Sequence, residues 1–191
     1  MVKEFVHSLR MLTVMTIALG IIYPVVMTGF AQTFFADKAN GSLLYQEGNP
    51  IGSKFIGQGF ADEKYFHGRP SCAGKNGYDA ASSSGSNLGP TSKDLITSVA
   101  ERAKAVREIN GLALNTYIPS DLVTASASGL DPHITPGAAA IQMERVAKAR
   151  NMGIDEVQLL VEKNTENPTF GFMGDTRVNV VMLNFDLDKV K

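Results

Sequence analysis

Between Arg10 and Asp37 the chain carries no charged residue: MLTVMTIALGIIYPVVMTGFAQTFFA. A helix needs roughly 20 apolar residues to cross a hydrocarbon core, and this run is longer. A secretory signal sequence is the competing reading, with a weak small-residue site at Gly29–Ala31. The apolar part of such a signal covers only about 7–15 residues, so the length favours a permanent anchor. Lys3 and Arg10 precede the run and Lys38 follows it. That small excess of cations places the N-terminus in the cytoplasm. The expected organisation is a cytoplasmic segment 1–10, a transmembrane helix 11–36 and an extracytoplasmic domain 37–191. Phe34 and Phe35 then fall near the outer interface.

Within the run, Thr16, Gly20, Pro24 and Thr28 recur every four residues and share one helix face. Small residues at this spacing let a second helix approach closely. Pro24 has no N–H to give to the Gly20 carbonyl, which is left for a neighbour or water. These four residues are the expected helix-packing positions. The alternative is a lipid-facing anchor with incidental small residues.

The remaining chain is long enough for one ordinary domain. A formal net charge of -1 gives no global field favouring nucleic acid. One cysteine, Cys72, excludes an internal disulfide and a cysteine-rich zinc site. The three histidines His7, His67 and His133 lack metal-ligand spacing.

Turn residues dominate from Asp37 to Ser71, with short apolar pieces at Ile51, Phe55–Ile56 and Tyr65–Phe66 that read as brief strands. Small polar residues from Cys72 to Lys93 read as a long loop. Thr91 or Ser92 caps a helix over KDLITSVAERAKAVREI, which Asn110–Gly111 ends. Thr135 and Pro136 open a second helix running to Arg150, and Asp155 starts a third. Thr176–Leu187, rich in β-branched residues, reads as a strand. The expected fold class is α+β: one N-terminal transmembrane helix followed by a small mixed domain.

Leu122–Arg150 concentrates the chemistry. Ser126, Ser128, Asp131 and His133 share one short loop, so a membrane-tethered serine hydrolase is one function class. Against it, TASASGLD lacks the G-x-S-x-G frame, and nearness in sequence is not triad geometry. The same serines and Asp131 also suit turns, with Asp131–Pro132 extended and Gly129 free to take positive φ. SGSNLGPTSK fails the phosphate-loop spacing. Arg69 and His67, beside Pro70, suit either an anion or an acidic neighbour at a turn. The helix opened by Thr135 has an N-terminus suited to an anion, with Gln142 and Arg145 one to two turns along.

Five segments carry a resemblance. NGSLL (40–44), IGSKFIGQGF (51–60), YFHGRPS (65–71), SGSNLGP (84–90) and the long 122–150 segment follow, in order, a single span containing Tyr23–Pro24. Together they resemble the C subunit of the bacterial Kdp potassium-transporting ATPase over nearly the whole chain. A small departure falls at Ser84, where that family commonly has glycine.

The resemblance implies a non-catalytic accessory subunit in the bacterial cell (inner) membrane. Its partners would be a channel-like potassium-translocating subunit, a P-type ATPase catalytic subunit and a small single-helix subunit. Its implied roles are assembly and raising the ATP affinity of the catalytic subunit, with ATP the one candidate cofactor and no metal. Ser126, Ser128, Asp131, His133, Gln142 and Arg145 become candidates for a partner surface or a nucleotide contact. Because the topology puts this domain away from cytoplasmic ATP, the expected influence on ATP is indirect.

Overall fold

A computed structural model describes residues 1–190, and the chain divides after Leu43 into two units. In the first unit a helix of 33 residues runs from Val2 to Phe34. At about 1.5 Å per residue it exceeds the roughly 30 Å of a hydrocarbon core. It starts earlier than the uncharged run, taking in Lys3, Glu4 and Arg10, and stops when Phe35 leaves helical geometry at φ -138°. The ladder is not uniform. α1 (Val2–Ile17) passes into a π turn over Ala18–Ile22 before α2 (Tyr23–Phe34). Tyr23 N–H donates to Ala18 O, five residues back. The expected disturbance at Pro24 is thus present as a register shift one turn earlier, leaving Pro24 in the first turn of α2, where its missing N–H matters least. A Cβ added at Gly20 would meet only Thr16 Cγ2, at 4.0 Å. A short helix α3 (Ala36–Ala39) follows.

The second unit is a mixed α+β domain. β1 (Leu43–Gln46) and β2 (Asn49–Ser53) form a hairpin. No helix or strand occurs from there to α4 (Lys93–Ile109), which Ser92 caps by accepting from Leu95 N–H. A three-stranded antiparallel sheet has β5 (Arg177–Asn179) between β3 (His133–Ile134) and β4 (Thr165–Glu166). Val178 and Ile134 turn inward to a core with Phe66, Val146, Val157, Leu183 and Leu187. α5 (Pro136–Ala140), α6 (Met143–Arg150), α7 (Ile154–Lys163) and α8 (Val180–Lys189) complete the domain.

Three sequence expectations are corrected. The strand expected over Thr176–Leu187 is a strand only from Arg177 to Asn179, and then helix α8. Asn179 Oδ1 caps this helix by accepting from Met182 N–H at 3.0 Å. Val180, Leu183, Asn184 and Leu187 are buried at helical spacing, which outweighs the β propensity of the valines. The helix expected from Thr135 to Arg150 is two helices, broken at Ile141–Gln142. Phe55–Ile56 and Tyr65–Phe66 are extended or turning segments rather than strands.

Side-chain amides replace a neighbouring strand at Phe66 and His67. Asn184 accepts from Phe66 N–H and donates to Phe66 O, both at 2.9 Å. Gln142 accepts from His67 N–H at 2.8 Å and donates to His67 O at 3.1 Å. Four backbone groups are thereby satisfied in or beside the core, as burial demands.

Glycines set how closely the loops approach. At Gly129, φ is +69°, and an added Cβ would lie 2.7 Å from Ala73 Cβ, Ala73 N and Ser84 O. Gly111, at φ +63°, has open space around it. Gly129→Ala is expected to destabilise the chain by about 2–4 kcal/mol, combining positive-φ strain with overpacking. Gly111→Ala should cost about 1 kcal/mol. Denaturant unfolding of both variants in detergent checks the difference, and equal losses would contradict the close-approach account.

Candidate functional site

The segments YFHGRPS, SGSNLGP and Leu122–Thr135, far apart in sequence, meet in one loop cluster. Ser71 Oγ donates to Gly129 O at 2.6 Å and accepts from Tyr78 N–H at 2.7 Å and Ala73 N–H at 3.1 Å. The Tyr78 hydroxyl donates to Arg69 O at 2.5 Å. Ser83 Oγ donates to Ser128 O and Ser84 Oγ to Cys72 O. Gly57 N–H reaches Leu130 O at 2.8 Å, and Ser126 N–H reaches Pro70 O at 3.2 Å.

A charged network edges this cluster. Asp131 Oδ1 accepts from His133 N–H at 3.0 Å and lies 3.3 Å from His133 Nδ1, while Oδ2 is 3.2 Å from an Arg69 Nη. Arg69 thus takes the acidic neighbour that its turn position suggested. Sheet register then sets His133 opposite Asn179 and Glu166 opposite Arg177. His133 Nε2 lies 3.5 Å from Asn179 Nδ2 and 3.7 Å from Glu166 Oε2. Glu166 also pairs with Arg177 at 2.9 Å and Lys54 at 3.4 Å.

This geometry does not assemble a nucleophile and its base. The ring of His133 faces Asp131, Glu166 and Asn179, and no hydrogen bond joins it to either serine among the described residues. Ser128 Oγ accepts from Leu130 N–H at 3.1 Å, a turn bond. Ser126 is buried, 2% exposed. A general base must lie within hydrogen-bond reach of its nucleophile.

Gln142 and Arg145 belong to a different place. Besides clamping His67, Gln142 donates to Ala138 O and accepts from Arg145. Arg145 donates to Asn110 Oδ1 at 2.9 Å, Tyr65 O at 3.0 Å, Gln142 Oε1 at 3.0 Å and Glu63 O. Four of its five N–H donors are spent on the fold. The glycine-rich loop is likewise filled by protein, since a Cβ on Gly85 would lie 2.8 Å from Ala127 O. These residues therefore do not fit the phosphates of a nucleotide.

Sequence reasoning missed Glu166, Arg177, Asn179 and Asn184. The alternation in TRVNV could have placed Arg177 and Asn179 on one strand face. Nothing local to Glu166 announces its cross-strand partner.

Burial raises the Asp131 carboxyl, but hydrogen bonds from His133 and the Arg69 charge outweigh this and hold it below the ordinary aspartate value. Glu166 is lowered in the same way, burial being outweighed by Arg177 and Lys54. Burial and the Arg145 charge lower His67. All three take up protons more readily in the unfolded chain. Stability from His67 is therefore full above about pH 6.5 and is lost as pH falls through its folded value. Stability from the carboxylates is full above about pH 4 and is lost below it. Unfolding temperature measured against pH should decline in two stages. His67→Gln is expected to remove the upper stage, and Asp131→Asn to flatten the lower one. Unchanged profiles in both variants would contradict these assignments.

Comparison with known proteins covers almost the whole chain. Residues 5–189 match the family model described as KdpC: K+-transporting ATPase, c chain. A potassium-transporting ATPase KdpC subunit of Mycobacterium tuberculosis is 50% identical, over 98% of this chain and 99% of that protein. Those of Koribacter versatilis and Methylococcus capsulatus are 49% and 47% identical, covering 98% and 100% of this chain and 95% and 100% of theirs.

Proposed function

The chain belongs to the family of K+-transporting ATPase c chains, and from that premise we propose that it is a non-catalytic subunit that helps assemble an ATP-driven potassium uptake pump. It works through its membrane helix and its domain surface, and another subunit hydrolyses ATP. The observation that carries this is the pairing of two facts. Asp131, His133, Gln142 and Arg145 are engaged by the domain's own groups, whereas no residue of the helix is buried, the Thr16–Gly20–Pro24–Thr28 face included. Gly20 leaves a depression, and the π turn that contains it marks an interrupted ladder of the kind found at functional positions.

The partners in this proposal are the channel-like subunit, the P-type catalytic subunit and the small single-helix subunit of the same complex. The helix spans the bacterial cell membrane once, with a cytoplasmic N-terminus. ATP is not held by this domain. Any rise in ATP affinity comes through helix packing that shifts the pump between states.

Co-purification tests the assignment: a tagged chain extracted in mild detergent is expected to bring out a large polytopic partner. Recovery of the chain alone, reactive toward serine-directed probes, would favour the tethered hydrolase instead. Within the complex, Gly20→Leu should lower recovery of the partner more than Leu19→Ala, because bulk on the small-residue face blocks close approach. Equal recovery would remove the packing argument. Cys72 tests the topology, being the one thiol. A membrane-impermeant maleimide is expected to label it in intact cells. Labelling only after lysis, with a denatured control excluding simple burial, would reverse the orientation.

A further inference from the structure

Between β4 and β5 the chain makes a turn that presents apolar side chains to solvent. Thr169 and Met173 exchange backbone hydrogen bonds at 2.9 Å in each direction, and Gly171 N–H closes onto Pro168 O at 3.0 Å. Phe170 takes a φ of +56° and Gly171 one of +80°. Positive φ is costly for a bulky residue and persists only where its surroundings impose it. The outcome is a fixed turn on which Phe170 is 83%, Phe172 78% and Met173 54% exposed. No core contact in the domain uses these three side chains. An aromatic patch on a turn closed by its own backbone hydrogen bonds has less to lose in backbone entropy when a partner covers it than one on an open loop.

The charge beside the turn says what kind of partner. Two residues beyond Met173, Asp175 lines a cleft with Asp121, Asp131, His133, Arg69 and Arg177. Arg69 and Arg177 are already paired, with Asp131 and Glu166, although Arg69 Nε is itself buried without a hydrogen-bond partner. Lys54 also goes to Glu166. Asp175 has no ion pair among the described residues. Asp121 is 8% exposed and its Oδ2 accepts from Thr135 N–H at 2.6 Å, while its Oδ1 is buried with no hydrogen-bond partner. A buried carboxylate oxygen without a donor is destabilising until one reaches it. The cleft thus holds three carboxylates against two arginines, and Asp175 is left without a cation.

An anionic bilayer does not fit this surface, because membrane-docking tips carry cations around their apolar residues and this flank is acidic. A second copy does not fit either, since it brings the same carboxylates. We propose that the Thr169–Met173 turn and the adjoining acidic cleft form one docking surface for another subunit of the same ATPase. That subunit would offer an apolar pocket flanked by a lysine or arginine. The inference rests on the pump-subunit assignment and adds a second contact to the helix.

The test uses the full chain co-expressed with the other subunits. A photoreactive benzoylphenylalanine installed at Phe170 and irradiated in native membranes is expected to form an adduct with another subunit of the ATPase, identified by mass spectrometry. Adducts confined to lipid or to a second copy, or none, overturn the proposal. Independently, Phe172→Ser combined with Asp175→Lys should lower recovery of the other subunits after a high-salt wash about tenfold. The unfolding temperature of the chain alone should not change. Undiminished recovery overturns the surface and leaves the subunit assignment standing. If the unmodified chain recovers no subunit, the assignment fails and the surface with it.

Discussion

The close approach at Gly129 is the contact on which the rest of the domain depends. With no side chain there, the Ser126–Asp131 loop packs backbone to backbone against Ala73 and Ser84. Only at that distance can one hydroxyl, Ser71 Oγ, bond Gly129 O, Ala73 N–H and Tyr78 N–H together. The long stretch from Gln58 to Ser92 forms no helix or strand. Its buried backbone groups must therefore find partners elsewhere. They find them in this hub and in the amides of Asn184 and Gln142.

Holding the loop this way fixes where its polar side chains point. Asp131 is turned back to its own His133 and across to Arg69, and the three-stranded sheet locks His133 over Asn179 and Glu166. Each hydrogen bond is modest, typically about 0.5–1.5 kcal/mol net. Together they leave neither Ser126 nor Ser128 beside a base. What remains free lies elsewhere: the exposed face at Gly20 and the aromatic turn at Thr169–Met173. For a chain whose family is defined by a multi-subunit pump, these free surfaces are where binding is to be sought.

Much of this was legible in the sequence. The membrane helix, the caps at Ser92 and Thr135, the long irregular middle and the α+β class follow from charge depletion, hydroxyl placement and small-residue composition. Arg69 beside an acid was also foreseeable. The rest was not, for physical reasons. Val180 and Val181 signal strand locally, whereas the burial of Leu183, Asn184 and Leu187 decides for helix. Gln142 and Arg145 read as polar residues near a helix start. Only the fold shows that their partners are the backbone of Glu63, Tyr65 and His67, some 75 to 82 residues away in sequence. Glu166 could be assigned no role until β4 lay beside β5.

The claim that the Ser126–His133 loop is scaffolding rather than a reaction centre is tested most directly by turnover. Ser126 and Ser128 are replaced together by alanine, and potassium-stimulated ATP hydrolysis is measured on the assembled pump. Scaffolding predicts substantial remaining turnover, because only the Ser128 turn hydrogen bond is lost. Abolished turnover with normal assembly would mean that a nucleophile had been removed, and would contradict it.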